Sequence, residues 1–209
     1  MSDSKGVRFG VSNVHYSKYT EGSGNDAGTY ATPVAMQGCT AITLTPQGNT
    51  WTFYADNIAY ETGSSNTGYE VSVTIAVVGD QAKVDLLGYA TDTNGVVYES
   101  ADGKPGDVAL LWEFDGSKVK KRGLLYSVKF NRPTTTGNTT TDSVDPDTDE
   151  LTGVAIGRDI TIDGVIKNVI KASVTNETAT ATRFADWFDA VYIVGSGPSG
   201  ATGATGATS

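Results

Sequence analysis

Stretches in which every second residue is apolar dominate this chain, the pattern of strands that turn one face towards a core. Over residues 70–77 the apolar positions are Val71, Val73, Ile75 and Val77. Residues 41–45 and 51–55 alternate in the same way, and Pro46-Gln47-Gly48-Asn49 reads as the turn between them. Three dipeptides, Asn94-Gly95, Asp115-Gly116 and Asp163-Gly164, have the chemistry of primed hairpin turns, because Asn, Asp and Gly accept the positive φ such turns need. The second is expected to join residues 108–114 to 119–130, and the third to join 154–162 to 165–174. Successive hairpins make an antiparallel sheet. The expected fold is all-β with a minor helical part, an antiparallel β-sandwich with one or two short flanking helices.

Two segments change period. Residues 80–87 read as a short helix that starts at Asp80 and stops at Gly88. Residues 181–192 place Phe184, Trp187, Phe188 and Val191 at i, i+3, i+4 and i+7, one apolar stripe on a helix. Burying such side chains contributes roughly 1.5–3 kcal/mol each, so the stripe is read as anchoring a core helix to a sheet face. Polar loops are expected at 21–28 and 133–141. Residues 195–209 hold nothing larger than Pro or Thr and cannot join a core, which sets the expected division: a domain over 1–194 and a flexible Gly/Ala/Thr-rich tail over 195–209.

Composition reinforces the β reading and removes most chemistry. Of 209 residues, 29 are Thr and 25 Gly, which favours strands and turns over helices. A single His (His15) and a single Cys (Cys39) leave no His/Cys zinc site and no disulfide framework. His15 reads as a surface or hydrogen-bonded strand residue and Cys39 as a small strand residue. The apolar runs at 75–78 and 108–112 are too short to span a membrane, and residues 1–5 lack the apolar stretch of an export signal. The net charge of −9 disfavours binding nucleic acid through its phosphates. That charge is uneven: residues 1–100 have four bases against ten acids, 101–132 seven against four, and 133–209 four against ten. Lys118, Lys120 and Arg122 would share one strand face. Such a face either resists edge pairing in solvent or meets an acidic neighbouring subunit.

Several motifs fail on their mechanics. Gly195-Ser196-Gly197-Pro198-Ser199-Gly200 after residues 190–194 copies a dinucleotide fingerprint, but neither a helix nor a distant acid can follow it. The glycines at 197, 200, 203 and 206 have collagen's period in too few triplets. Asp145, Asp147 and Asp149 have calcium-loop spacing, yet Glu150 stands where Gly is required and Ile156 where the bidentate Glu belongs. The sequons at Asn138 and Asn176 carry no weight without an export signal. No cofactor and no active site are expected.

The ordered succession of short blocks resembles a known family, the major tail (tail-tube) proteins of long-tailed phages of Gram-positive bacteria. The blocks are residues 10–18, 28–34 with Gly38, Phe53-Tyr54-Ala55-Asp56-Asn57 and Asn66-Thr67-Gly68-Tyr69-Glu70. They continue with Leu86-Leu87-Gly88, Asn94-Gly95-Val96, Ala109 to Gly116, Leu125-Tyr126 and Asn131-Arg132-Pro133. The last are residues 142–148, Leu151-Thr152 and Trp187 to Tyr192. The extension over 195–209 departs from the family pattern.

The resemblance implies a non-enzymatic virion protein, made in the host cytoplasm, with the packed-sheet fold of tail-tube proteins. Its copies would form hexameric rings stacked into a hollow tube. The tape-measure protein and double-stranded DNA would pass through the lumen without tight binding, and tail terminator and baseplate proteins would meet the ends. An acidic wall suits such a conduit, because lysines repeated round each ring would grip phosphates. Acidic strand positions are therefore expected to face the lumen, with residues 118–132 in subunit contacts. The candidate contacts are Lys118, Lys120, Arg122, Thr135, Gly137, Asn138, Asp145 and Asp147. The competing reading is a β-sandwich binding module, a virion decoration or carbohydrate-binding domain with an exposed aromatic platform.

Overall fold

The alternation seen in the sequence becomes hydrogen-bonded pairing in the computed structural model, which describes residues 6–23, 28–135, 137 and 147–195. The first half contains β1 (Arg8–Thr20), β2 (Thr29–Tyr30), β3 (Val34–Ala35), β4 (Cys39–Gln47), β5 (Thr50–Ala55), β6 (Ile58–Ser64) and β7 (Gly68–Ile75). Helix α1 (Asp80–Leu87) follows, then β8 (Ala90–Thr91), β9 (Val97–Tyr98), β10 (Val108–Gly116) and β11 (Lys121–Phe130). The last part holds β12 (Asp149–Ile156), β13 (Arg158–Ile162), β14 (Val165–Val169), β15 (Lys171–Thr175), α2 (Ala181–Ala185) and a 3-10 turn at Asp186–Phe188. Every ladder is antiparallel, so the chain is all-β with a minor helical part, as expected.

The main sheet runs β2-β1-β10-β11-β12-β7-β4, with β3 also on β1 and β15 also on β11. One edge of β11 is shared: β15 pairs with Lys121–Leu125 and β12 with Ser127–Phe130. β1 and β4, far apart in this order, nevertheless come into contact, so the sheet curls. The pairs β5–β6, β8–β9 and β13–β14 are separate two-stranded ribbons.

β10 and β11 are apolar on both faces, and both faces are covered. Val108, Leu110, Trp112, Leu125, Val128 and Phe130 belong to one core with Val71, Val73 and Ile75 of β7. Ala109, Leu111, Leu124 and Tyr126 point the other way, into a second core with Ile160 and Trp187. Strands buried on both sides read as continuous apolar runs rather than alternating ones, which is why residues 108–112 form one. Helix α1 adds the buried Leu86 and Leu87 to the first core, and its Gly88 cap has φ 74, the left-handed stop the sequence implied.

The second helix is shorter than its stripe suggested. The helical segment ends at Phe188, and Val191 to Val194 pack against the second core in irregular backbone. Of the four expected anchors Trp187 is buried, Phe188 and Val191 pack around it, and Phe184 is half-buried beneath a guanidinium described below. Trp187 donates its indole N–H to the Gly123 carbonyl at 3.4 Å.

The three turn dipeptides behave differently. Asp163-Gly164 is the primed two-residue turn expected, with φ 51 and 77 and Ile162 opposite Val165. At Asn94-Gly95 only Gly95 has positive φ; the Asp92 carboxylate accepts the Asn94 and Val96 amides at 2.8 Å each, which anchors a longer turn. Asp115-Gly116 is not a turn. Asp115 pairs with Gly10 and Gly116 with Arg8 inside the β1–β10 ladder, and the chain reverses over residues 117–120. The expected strands 154–162 and 165–174 each break, at Gly157 and at Ile170, so β13–β14 leaves the main sheet while β12 and β15 stay in it. Val77 lies beyond the end of β7 and is 70% exposed; Val78 takes the buried place.

Pro46-Gln47-Gly48-Asn49 does not reverse the chain either. Pro46 and Gln47 are still paired with Tyr69 and Gly68, and the ladder continues through Thr67 N–H to Gln47 O at 2.8 Å and Ser65 N–H to Asn49 O at 2.9 Å. β4 therefore runs on into β5 and β6 into β7, forming one long hairpin. Its reversal is at Asp56-Asn57, both at positive φ (52 and 62).

Candidate assembly surfaces

The basic block is organised around one buried carboxylate. Glu113 on β10 stands directly opposite Arg122 on β11 and is 2% exposed. Its oxygens accept from Lys120 Nζ at 3.2 Å and Arg122 Nε at 2.5 Å. Arg122 also donates to the Phe184 carbonyl, and its guanidinium lies 3.9 Å from the Phe184 ring centre and 4.8 Å from that of Phe188. Cation–π contacts are stronger when desolvated, so this arginine fastens the C-terminal segment to the sheet. Lys120 reaches Asp115 at 3.1 Å as well; its hydrogen bond holds the Asp115 carboxyl below the usual carboxylate range. Two of the three expected contact cations are thus engaged within their own chain. Lys118 is exposed, and no ion pair among the described residues involves it.

The other candidates are scattered. Thr135 and Gly137 are exposed beyond the end of β11, and Asp147 is exposed just before β12. Asn138 and Asp145 lie outside the described residues. The expected loop over 21–28 and the tail are only partly described, to Ser23 and from Gly28, and as far as Gly195. His15 donates from Nδ1 to the Asn13 carbonyl at 2.9 Å and stacks on Phe188 at 4.7 Å; Cys39 packs against the first core. Among the described residues no three His, Cys, Asp or Glu side chains are grouped as a metal would need.

The long hairpin presents the surface that the sequence reading missed. Among the described residues its outer half, β5–β6, pairs with no other strand. Trp51, Phe53, Tyr54, Ile58 and Tyr60 are 50–72% exposed. Trp51 lies across Gly63, where an added Cβ would come within 2.6 Å of the indole, and Phe53 meets Tyr60 edge-on at 6.4 Å. The arm holds Asp56 and Glu61 and no base; no Lys or Arg stands between Lys18 and Lys83. A two-stranded ribbon alone is marginal in water, and clustered exposed aromatics mark contact surfaces. The legible signal was there: aromatic alternation at 51–54 and 58–60 around an Asp-Asn pair able to adopt positive φ.

A second surface has opposite character. On the side of β12, β7 and β4 away from the core, the exposed or half-exposed side chains are Glu150, Thr152, Val154 and Ile156, then Glu70, Ser72 and Thr74, then Ala41, Thr43 and Thr45. Ser72 donates to Glu150 at 2.6 Å and Gln47 to Glu70 at 3.2 Å. These strands carry no base on that face; Lys129, opposite Val154 on β11, is the neighbouring cation. The result is a three-strand surface of hydroxyls and carboxylates, with Val154 and Ile156 apolar at the end of β12.

No protein-family model matches the chain, and no curated protein matches it in sequence.

Proposed function

We propose that this chain is a structural virion protein, the tail-tube protein of a long-tailed phage, whose copies form hexameric rings stacked into a conduit for double-stranded DNA. The observation that carries the reading is the β5–β6 arm: aromatic, unpartnered among the described residues, and continuous with a central ladder. Such an arm is suited to lie against another copy, where burial contributes roughly 1.5–3 kcal/mol per large side chain. The hydroxyl and carboxylate face of β12, β7 and β4 would line the lumen, since a wall without lysines does not grip phosphates. In this reading the curled sheet and the layer over the outer face of β10–β11 are the two packed layers of a tube-protein sandwich. Tape-measure protein, terminator and baseplate would be its further partners, and the virion tail its location.

The exposed aromatics also suit the competing role of a glycan-binding or decoration module, which needs a platform but no self-assembly. Electron microscopy of the concentrated full chain separates the two. Hollow tubes of stacked rings are expected; particles that remain single domains at every concentration, while binding a glycan array through Trp51 and Tyr60, would replace the tube with the module.

A further inference from the structure

One pocket in this acidic protein is basic. It has a volume of about 350 Å³ and lies between β4, β10, β11 and β15, with the start of β1 at its rim. Leu44, Trp112 and Phe114 give it an apolar floor, and Arg8, Lys121 and Lys171 supply its charge. Arg8 sits 4.5 Å from the Phe114 ring centre and Lys171 4.6 Å from that of Tyr69, so two of the cations are held on aromatic faces rather than by acids. Among the described residues no carboxylate forms an ion pair with any of the three, although the chain has 24 acids for 15 bases.

Trp112 adds an independent observation. The residue is 3% exposed, and its indole N–H has no hydrogen-bond partner among the described residues. The ring is pressed onto β11 at Gly123, where an added Cβ would come within 2.3 Å of it, so the indole has no room to turn towards an acceptor on that side. A buried donor left without an acceptor is costly, and it belongs to a ring that lines the cationic pocket.

The geometry points to the occupant: the tip of the β5–β6 arm of a second copy, with Tyr54 and Ile58 on the apolar floor and Asp56 and Glu61 among Lys121, Lys171 and Arg8. The arm has what the pocket lacks, exposed apolar side chains beside two carboxylates and no base. A chain cannot satisfy itself in this way. Leu44 and Asp56 belong to the same hairpin, and at roughly 3.3 Å per residue the tip stands about 40 Å further along it. Docking is therefore head-to-tail between copies, the kind of contact that closes into rings or runs on as a filament. The inference rests on the reading that copies of this chain associate, not on the association being a tube.

Charge reversal in the full chain tests it. Lys121→Glu with Lys171→Glu in the pocket, and Asp56→Lys with Glu61→Lys on the arm, change exposed side chains, and circular dichroism melting checks that each variant is folded. In sedimentation velocity each pair is expected to raise the concentration needed for assembly by about tenfold or more, and all four changes in one chain to restore it. Tubes that form equally well from every variant would overturn the docking and leave the tube standing. Oligomers that are not tubes but follow the reversal pattern would overturn the tube and leave the docking standing. If the wild-type chain does not assemble, Asp56→Cys with Lys121→Cys in a Cys39→Ser background decides. Intermolecular disulfides on mild oxidation support the docking, and their absence overturns it.

Discussion

β10–β11 and β5–β6 are both antiparallel pairs of aromatic and aliphatic strands, yet one is largely buried and the other largely exposed. The difference lies in what covers their faces. On β10–β11, β7 and α1 close one side and the segment from Ile160 to Val194 closes the other, so the strands need no partner outside the chain. On β5–β6 none of the described residues covers either face. Burial here follows from chain connectivity rather than from strand composition. In the proposed reading this bare apolar ribbon is a contact for another copy of the chain.

The largest effect should come from the covered pair. Trp187→Ala removes the side chain that plugs the second core and is expected to lower unfolding stability by about 3–5 kcal/mol in urea melts. A loss no greater than that of an arm substitution would erase the contrast. Glu113→Gln should follow, at about 3 kcal/mol, because it leaves the Arg122 guanidinium, 14% exposed, without its carboxylate. The same variant should loosen the C-terminal segment, seen as faster amide exchange around Phe184 and Trp187.

Alkaline pH acts on the same buried region. Burial pushes the hydroxyls of Tyr16, Tyr30 and Tyr126 well above the usual tyrosine range; the Tyr16–Asp85 hydrogen bond adds to the first, and Arg158 opposes part of the second. Groups whose folded pKa is raised favour folding fully below their unfolded value, near 10, and lose that contribution above it. Melting temperature should therefore be insensitive to these tyrosines up to about pH 9 and decline from about pH 10 upward. Tyr126→Phe should flatten part of that decline. The smallest effect on stability belongs to the arm: Trp51→Ser, Phe53→Ser and Tyr60→Ser should each shift monomer stability by only about 0.5 kcal/mol, as exposed sites do.

The sequence disclosed local chemistry better than long-range pairing. Asp163-Gly164 was legible because two residues at positive φ are all that turn requires. Asp115-Gly116 has the same letters, but β1 pairs along it with a register shift between Arg8 and Gly10, a fact held in residues 8–10 rather than in the dipeptide. Pro46 suggested a reversal, whereas at the end of β4 it occurs inside a strand whose outer edge is free, where its missing N–H costs nothing. The aromatic stripe at 184–191 correctly identified a core contact. It overstated the helix, because Arg122 and the irregular run to Val194 hold those side chains without helical backbone. The basic block was legible as charge, but its organiser, Glu113, is a single acid whose partner across the ladder only the register reveals.

In the proposed reading the β5–β6 arm exists for association and not for folding. Sedimentation of the full chain beside its Trp51→Ser/Phe53→Ser/Tyr60→Ser variant, with melting curves on both, tests it most directly. The wild-type chain is expected to assemble while the variant sediments as a monomer with nearly unchanged melting temperature. A variant that assembles as the wild type does, or one that fails to fold, would contradict it.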